Sequence, residues 1–494
     1  MKHILYLACL LGAFHTAPAQ KLLKLSLEQA IDMANDSSLS AYRYRNQYLS
    51  GYWAYRTYKA NRLPSLTLNL TPAKYYRYIT QRYDSEADKD VYREQQMFNA
   101  YGELAIRQNF DLTGGTFYIN TDLEYMKNFG DTHSTQYSSV PLQIGYSQDL
   151  LGYNPFKWDK KIEPLKYEKA QKQFIYNMEA VSETVVNYFF SLAMAQAEYR
   201  LAQDNVASTD TLYRIGKERH KIAVISKADL LTLQLDVVNA QNSLKNAQMS
   251  VRRASSSLAS FLNLDKNTEI DLELPDLPLR MEISAEAALA KAKENNPTLL
   301  MQKQNILEAE QSVDRTRRES RFNASINASI GFNQVSDKLK DAYRNPLQQD
   351  LVSVSVSIPL IDWGVAKGKY NMARNELNVV RSVAKQEEVN LEEDVIMTVN
   401  DFNVQRNLIA SAQEALDLAL LAYEQTRQRF IIGKADVNSL TLSLNRQQEA
   451  QKNYISALQN YWLSYYKIRK LTLFDFASGR SLANKLNQKI AFFR

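Results

Sequence analysis

Two hydrophobic periods alternate along the chain. Over long stretches the apolar positions step by three or four. One such stripe runs through Val437, Leu440, Leu444, Gln448, Gln451, Ile455, Leu458, Trp462 and Tyr465, and another through Leu230, Leu233, Val237, Gln241, Leu244, Gln248, Val251, Ser255 and Leu258. This spacing predicts amphipathic helices meeting along a coiled-coil seam. Leu377, Val380, Ala384, Leu391, Val395, Val399 and Phe402 supply a partner on a proline-free run from about 365 to 423. As a helix that run is roughly 90 Å long, too long for a compact domain, so a projecting rod or a tube wall is expected. Glutamines within the stripes are costly in a dry core and tolerable beside a wet interior, which favours a tube over an isolated stalk. The Tyr44, Tyr48, Tyr52, Tyr55 ridge reads as packing.

Elsewhere the period is two. Phe322, Ala324, Ile326, Ala328, Ile330 and Phe332 alternate with Asn323, Ser325, Asn327, Ser329, Gly331 and Asn333, and Val352, Val354, Val356, Ile358 and Leu360 alternate with Ser353, Ser355, Ser357 and Pro359. Leu66, Leu68 and Leu70 alternate with Thr67 and Asn69, and Val140, Leu142, Ile144 and Tyr146 with Pro141, Gln143 and Gly145. A further hairpin reads Leu104 to Phe110, a turn at Thr113-Gly114-Gly115, and Phe117 to Tyr125. The polar faces are nearly free of charge in the best strands. Tyr75, Tyr76, Tyr78, Tyr101, Tyr118, Tyr125, Tyr137 and Tyr146 cluster nearby, as interfacial girdles do. Strands of this length and pattern suit a bilayer-crossing barrel. Four to six of them cannot close a conducting one, so several chains related by rotation are required.

The segments recur in order. Ser26 and Ser284 each open an amphipathic helix, Pro141 matches Pro359, and Lys227-Ala228-Asp229 matches Lys434-Ala435-Asp436, at separations of 258, 218 and 207 residues. The falling offset points to an internal duplication whose first copy carries an inserted hairpin of about 40 residues. The expected organisation is a leader at 1–19 and a first structural repeat at 20–275, with barrel strands about 65–148 including the insertion. A second repeat follows at 276–476, with strands about 322–360, and a tail at 477–494.

Composition narrows the chemistry. Lys+Arg 60 against Asp+Glu 54 leaves +6 without a basic block, a poor grip on nucleic acid. With 14 Gly and 11 Pro among 494 residues the chain has too few turn formers for an all-β protein. The single cysteine is Cys9 and the histidines are His3, His15, His133 and His220, which cannot build a thiolate cluster or a His-rich metal site. Gly364-Val365-Ala366-Lys367-Gly368-Lys369 has the wrong spacing for a phosphate loop. No enzymatic activity, cofactor or metal is expected. Met1-Lys2-His3, the apolar run Ile4 to Phe14 and the site Ala17-Pro18-Ala19 form an export signal cleaved before Gln20, with Cys9 a bystander inside it. No later run reaches about 18 apolar residues, so a membrane crossing would need a closed β-barrel.

Pro141-Leu142 with Asp149-Leu150-Leu151-Gly152, and Pro359-Leu360-Ile361-Asp362-Trp363-Gly364, each lead into a long helix. The turns Val224-Ile225-Ser226-Lys227-Ala228-Asp229 and Ile431-Ile432-Gly433-Lys434-Ala435-Asp436 follow in the same order. In this order and duplication the chain resembles the TolC family of outer-membrane efflux proteins over nearly its whole length after the leader. The resemblance implies a fold that is mainly α with β: long antiparallel coiled-coil helices forming an α-barrel, plus amphipathic strands contributing to a shared trimeric transmembrane β-barrel. It implies a homotrimer set in outer-membrane lipid of a Gram-negative bacterium, with a large periplasmic part. Such a trimer is a passive exit duct of a tripartite efflux or secretion system, served by an inner-membrane transporter through a periplasmic adaptor protein. The turns would then be tips where the adaptor docks, at Val224, Ile225, Ser226, Ile431, Ile432, Gly433 and Lys434. Exposed Val and Ile at such turns would be poorly explained by packing within the chain. Threefold symmetry would make Asp229 and Asp436 into carboxylate rings at a pore entrance; alternatively each caps the helix that follows. The family's entrance aspartates lie deeper in that helix, where this chain has Ser439 and Leu442, and Ser226 stands where a glycine is usual. The alternative function is a periplasmic adaptor or coiled-coil scaffold, which should show one helical hairpin flanked by sheet domains.

Overall fold

The computed structural model describes residues 22–129, 133–275 and 281–483; the expected leader, with Cys9, His3 and His15, lies outside them. The chain is mainly helical, 61% helix against 23% strand. It begins with β1 (Leu23–Ser26), α1 (Leu27–Ser37) and α2 (Leu39–Ala60). Four strands follow, β2 (Ser65–Asp84), β3 (Lys89–Asn109), β4 (Thr116–Asn128) and β5 (Ser134–Asp149), then α3 (Pro155–Lys221) and α4 (Lys227–Phe261). The same sequence of element types starts again with β6 (Ile270–Glu273), α5 (Ala285–Asn295) and α6 (Pro297–Glu319). Here only β7 (Asn323–Ser336) and β8 (Leu347–Ser357) precede the long helices α7 (Val365–Ile431) and α8 (Val437–Thr472), and β9 (Phe474–Asp475) and β10 (Arg480–Ser481) close the described chain. The chain divides into two compact units, one drawn from residues 22–49, 171–297 and 388–483, the other from 50–170 and 298–387.

In the first unit β1 and β6 pair in parallel, Leu23 opposite Ile270. Ser26 and Ser284 cap the helices that follow, each accepting a backbone N–H three residues on, from Gln29 and Ala287. Phe189, Phe190, Phe402, Leu258, Ile455 and Leu458 are fully buried here. A buried ionic cluster fastens α8 to α3. Arg469 makes a bidentate pair with Glu179 at 2.9 and 3.0 Å, reaches Asp475 at 3.5 Å, and Lys470 pairs with Glu183 at 2.5 Å. Burial opposes the Arg469 charge, but Glu179 beside it holds the guanidinium's pKa above its ordinary value. Residues 477–483, expected as part of a tail, belong instead to the β9–β10 hairpin, where Leu482 is buried and its N–H donates to Leu473.

Of the α7 positions expected to face a partner, Leu377, Leu391, Val395, Val399 and Phe402 are buried and Val380 and Ala384 are half-buried, in a helix reaching Ile431 rather than Tyr423. The α4 stripe differs from its reading. Leu233 and Leu258 of the expected stripe are buried, but between them the buried positions are Ala240 and Ala247, each seven residues after the last, while Gln241 and Gln248 are exposed. Alanines let the helices approach closely, and a periodicity scan that looks for large side chains passes over them.

The second unit holds one antiparallel sheet in the order β2-β3-β4-β5-β7-β8. The inserted hairpin β3–β4 is therefore part of the same sheet as the other strands. Pro72 and Pro141 both sit at register shifts, between Thr71 and Lys74 in β2 and between Ser139 and Leu142 in β5, where a missing N–H is tolerated. The last strand stops at Ser357, short of the expected Leu360, because Pro359 cannot donate and restrains Ile358 before it. Beyond the end of β4, Arg77–Asp84 and Lys89–Gln96 pair with each other, a two-stranded ribbon braced by Arg77–Glu94 and by Arg93–Asp84 at 2.6 Å. The tyrosine ridge on α2 is packing, as expected. Tyr48 is buried against Phe174, and Tyr55 stacks on Tyr167 at 4.6 Å between centroids.

Candidate functional site

Register assigns each strand residue to a face of the sheet. Leu66, Ile106, Ile119, Ile144 and Ile330 lie in one row across β2, β3, β4, β5 and β7, ending at Asp350 on β8, whose carboxylate accepts from Gln348 at 3.0 Å. Leu66, Ile330, Phe332, Val352, Val354 and Val356 on this face are exposed in the single chain. The opposite face carries the row Thr67, Ala105, Asn120, Gln143, Gly331 and Gln349. Among the described residues one face is thus mainly apolar and largely exposed, and the other is polar, the division a strand between lipid and water needs.

The aromatic residues split between the faces. Tyr75, Phe98, Tyr125 and Tyr137 share the apolar face toward the β2–β3 turn, with rings as close as 5.2 Å for Tyr125 and Tyr137, and Phe117 and Tyr146 share it toward the helices. From Phe98 to Gln108, which lies opposite Phe117, β3 advances by ten residues. At about 3.4 Å each and a tilt near 40° they span about 26 Å, the height of an outer-membrane apolar band. Tyr76, Tyr78, Tyr101 and Tyr118, expected among the girdle residues, take the polar face instead, because alternation and the bulge at Pro72 set their parity. Gly145 makes room for Tyr118: a Cβ there would lie 2.2 Å from its ring.

The helical turns form the second candidate region. The turn between α3 and α4 and that between α7 and α8 have one geometry. In each, a residue with positive φ follows the helix, Ala223 at 56° and Gly433 at 80°, and the next N–H reaches back five residues, Val224 to the Arg219 carbonyl and Lys434 to that of Arg429. The new helices are capped by Ser226 and Asp436. The structural offset is therefore 210 residues, not the 207 of the Lys-Ala-Asp match. Buried pairs Leu233 and Ser443, Ala247 and Ala457, and Leu258 and Ile468 keep it. A three-letter match carries less than a hydrogen-bonded turn. In consequence Ala223, not Ser226, occupies the glycine position, at the cost of a left-handed alanine.

Val224 and Ile432 are exposed, as is Ile222, which the sequence reading passed over although it is the counterpart of Ile432. Ile431 is on the margin of exposure, and Ile225 turns inward against the cluster of Leu212, Leu233, Phe430 and Leu440. Lys434 points to solvent. Arg219 ties the two turns: its Nη2 donates to the Ile431 carbonyl at 2.6 Å and its guanidinium lies 5.6 Å from the Phe430 ring. Nothing in the sequence marks Arg219 for this contact. Asp229 completes a capping box, accepting from the Ser226 N–H at 3.1 Å and hydroxyl at 2.7 Å. Asp436 accepts from the Ser439 N–H at 2.6 Å, a bond that holds its carboxyl below the usual range. Both aspartates are exposed in the single chain, Asp436 as the cap itself and Asp229 as the capping-box partner of Ser226.

Between α3, α4, α7 and α8 a groove of about 470 Å³ is lined by Asn205, Ser208, Asp236, Asn239, Asn445 and Gln448 among others. Burial raises the Asp236 pKa. Gln448, one of the glutamines of the expected seam, lines this groove. At the start of α7 the phosphate-like run is already occupied. Asp362 accepts from the N–H groups of Gly364 and Ala366, each at 2.9 Å, so an anion there would meet a carboxylate. Among the described residues no helix is long and apolar enough to cross a membrane, and no group of three or more His, Cys, Asp or Glu is placed to hold a metal ion.

The family model described as outer membrane efflux protein matches residues 109–264 and 288–472. A toxin and drug export protein of Aggregatibacter actinomycetemcomitans is 19% identical over 437 residues, covering 81% of this chain and 91% of that protein. Two solved structures share the fold. A membrane protein from Pseudomonas aeruginosa has a TM-score of 0.66 at 13% identity, over 94% of this chain and 93% of that one. The CmeC outer membrane channel of Campylobacter jejuni has a TM-score of 0.64 at 12% identity, over 94% and 88%.

Proposed function

Since the chain belongs to the outer membrane efflux protein family, we propose that it is the exit duct of a tripartite export system, a passive trimeric channel in the outer membrane of a Gram-negative bacterium. The observation that carries this is the six-stranded sheet, with one bare apolar face about 26 Å high between two aromatic levels and a polar face behind it. One chain has two free sheet edges, and closing the wall removes them. Long helices then continue the duct into the periplasm, and an inner-membrane transporter supplies energy and cargo through an adaptor. The relative's name joins toxin and drug export, and we extend that cargo range to this chain.

The turns are the proposed docking tips, with Val224, Ile431, Ile432, Gly433 and Lys434 outermost, Ile222 added, and Ile225 and Ser226 holding the turn from behind. Asp229 and Asp436 would stand near the entrance as rings of three while still capping their helices. An adaptor or scaffold is the weaker reading, because the chain has two long helical hairpins and matches a channel family. Native mass measurement of detergent-extracted protein tests the assembly: three chains are expected, and a monodisperse water-soluble monomer would sink it. Val224→Glu with Ile432→Glu should abolish export while leaving the trimer assembled. Normal export by that variant would remove the docking role.

A further inference from the structure

The first repeat brings four strands to the sheet and the second brings two, so the wall is half again as wide as two equal pairs would make it. Both ends of the sheet are open. β2 and β8 each pair on one side only, and β2 carries Leu66, Leu68 and Leu70 exposed on the apolar face while β8 carries Val352, Val354 and Val356. β2 runs away from the helix that precedes it, and β8 runs back toward the helix that follows it. An edge of one chain can therefore meet the opposite edge of the next in the antiparallel sense used throughout the sheet. Such a head-to-tail contact generates a ring.

Resting on the trimeric reading above, we infer that β2 of each chain pairs with β8 of the next and that three chains close an eighteen-stranded barrel. With strands about 4.8 Å apart and tilted near 40°, its backbone diameter is about 36 Å, against about 24 Å had each repeat supplied two strands. Side chains fill roughly 5 Å from the wall, half the spacing of packed sheets. The free lumen is then about 26 Å rather than about 14 Å. A barrel of that width admits a compact polypeptide of up to about 50 residues, whose radius of gyration is about 10 Å, and not only a small molecule or an extended chain. The inserted hairpin is the feature that sets the width of this barrel.

The chain after residue 20 has no native cysteine, so engineered pairs report cleanly. Asn69→Cys on β2 is combined in turn with Ser353→Cys, Ser355→Cys and Ser357→Cys on β8, in the full-length protein in membranes. Electron cryomicroscopy of the extracted trimer counts the wall strands. Eighteen strands, with a disulfide-linked ladder up to three chains from at least one pair, are expected. A trimer with twelve wall strands and the β3–β4 hairpin outside the wall would overturn the inference and leave the channel reading intact. So would eighteen strands with β2 and β8 of adjacent chains not neighbours. Failure to find any membrane trimer would instead overturn the reading on which it rests.

Discussion

At the residue scale the turns show how little backbone identity depends on letter matches. Ala223 and Gly433 perform the same helix termination, and only one is a glycine. A left-handed alanine costs about 1 kcal/mol or more, and a glycine loses somewhat less than that in unfolded-chain entropy. Ala223→Gly is therefore expected to stabilise the α3–α4 turn by about 0.5 kcal/mol, read as slower hydrogen exchange in 219–226. Unchanged or faster exchange would mean the strain is relieved elsewhere. Asp436 gives a pH signature with a definite sign. Its folded pKa is depressed, so its stabilising contribution is complete above the unfolded value near 4 and is lost as pH falls through the lower folded value. Amides at the start of α8 should lose protection below about pH 4, and Asp436→Asn should remove that dependence. If the variant titrates like the parent, another group controls the cap. The capping serines were legible in sequence because Ser followed by an amphipathic run has one local meaning. Arg219 was not, since its partner, the Ile431 carbonyl, is 212 residues away and carries no residue-specific signal.

At the scale of elements, period decided type but not extent. The alternation at 66–70 marked β2, yet the strand runs to Asp84 through residues whose polar and charged side chains spoil any hydrophobic pattern. Those outer residues pair in a ribbon whose faces are both open to solvent, so neither face imposes alternation. The long helices were legible because one stripe of each is buried, but α4 hid its seam behind small residues. The α3–α8 contact was not visible at all, because Glu179, Glu183, Arg469 and Lys470 look like surface charges on a helical wheel. With Glu179 and Arg469 nearly buried, removing Glu179 leaves the guanidinium only the longer 3.5 Å contact with Asp475. Glu179→Ala is expected to cost about 3 kcal/mol, as loss of one member of a buried pair does, measured by denaturant unfolding of the extracted protein. Replacing both residues with Leu and Met should restore much of it. A cost under about 1 kcal/mol for the single change would class the pair with exposed salt bridges.

At the scale of the whole molecule, the sequence indicated a wall shared between chains because too few strands were present to close one. It could not say that the inserted hairpin joins that wall, since pairing between β3 and its neighbours is a register fact. The same register places Glu103 opposite Asp122 and Tyr101 opposite Glu124 on the polar face. Asn69 Nδ2 donates to Glu103 at 3.0 Å and Asn99 Nδ2 to Glu124 at 2.5 Å. Like charges directly across a strand pair weaken a sheet, so these carboxylates are not there for stability. In the proposed trimer each chain presents three to the lumen at nearly one level, and their combined field raises the local concentration of cations. The tip carboxylates Asp229 and Asp436 would compete for the same role, but each is already engaged as a cap and is flanked by Lys227 or Lys434. Single-channel recording separates the two sites. Glu103→Gln, Asp122→Asn and Glu124→Gln together should bring the cation-to-anion permeability ratio toward one, most clearly at low salt where screening is weak. Asp229→Asn with Asp436→Asn should leave the ratio close to that of the parent. The reverse outcome in assembled trimers would move selectivity from the barrel to the helical tips.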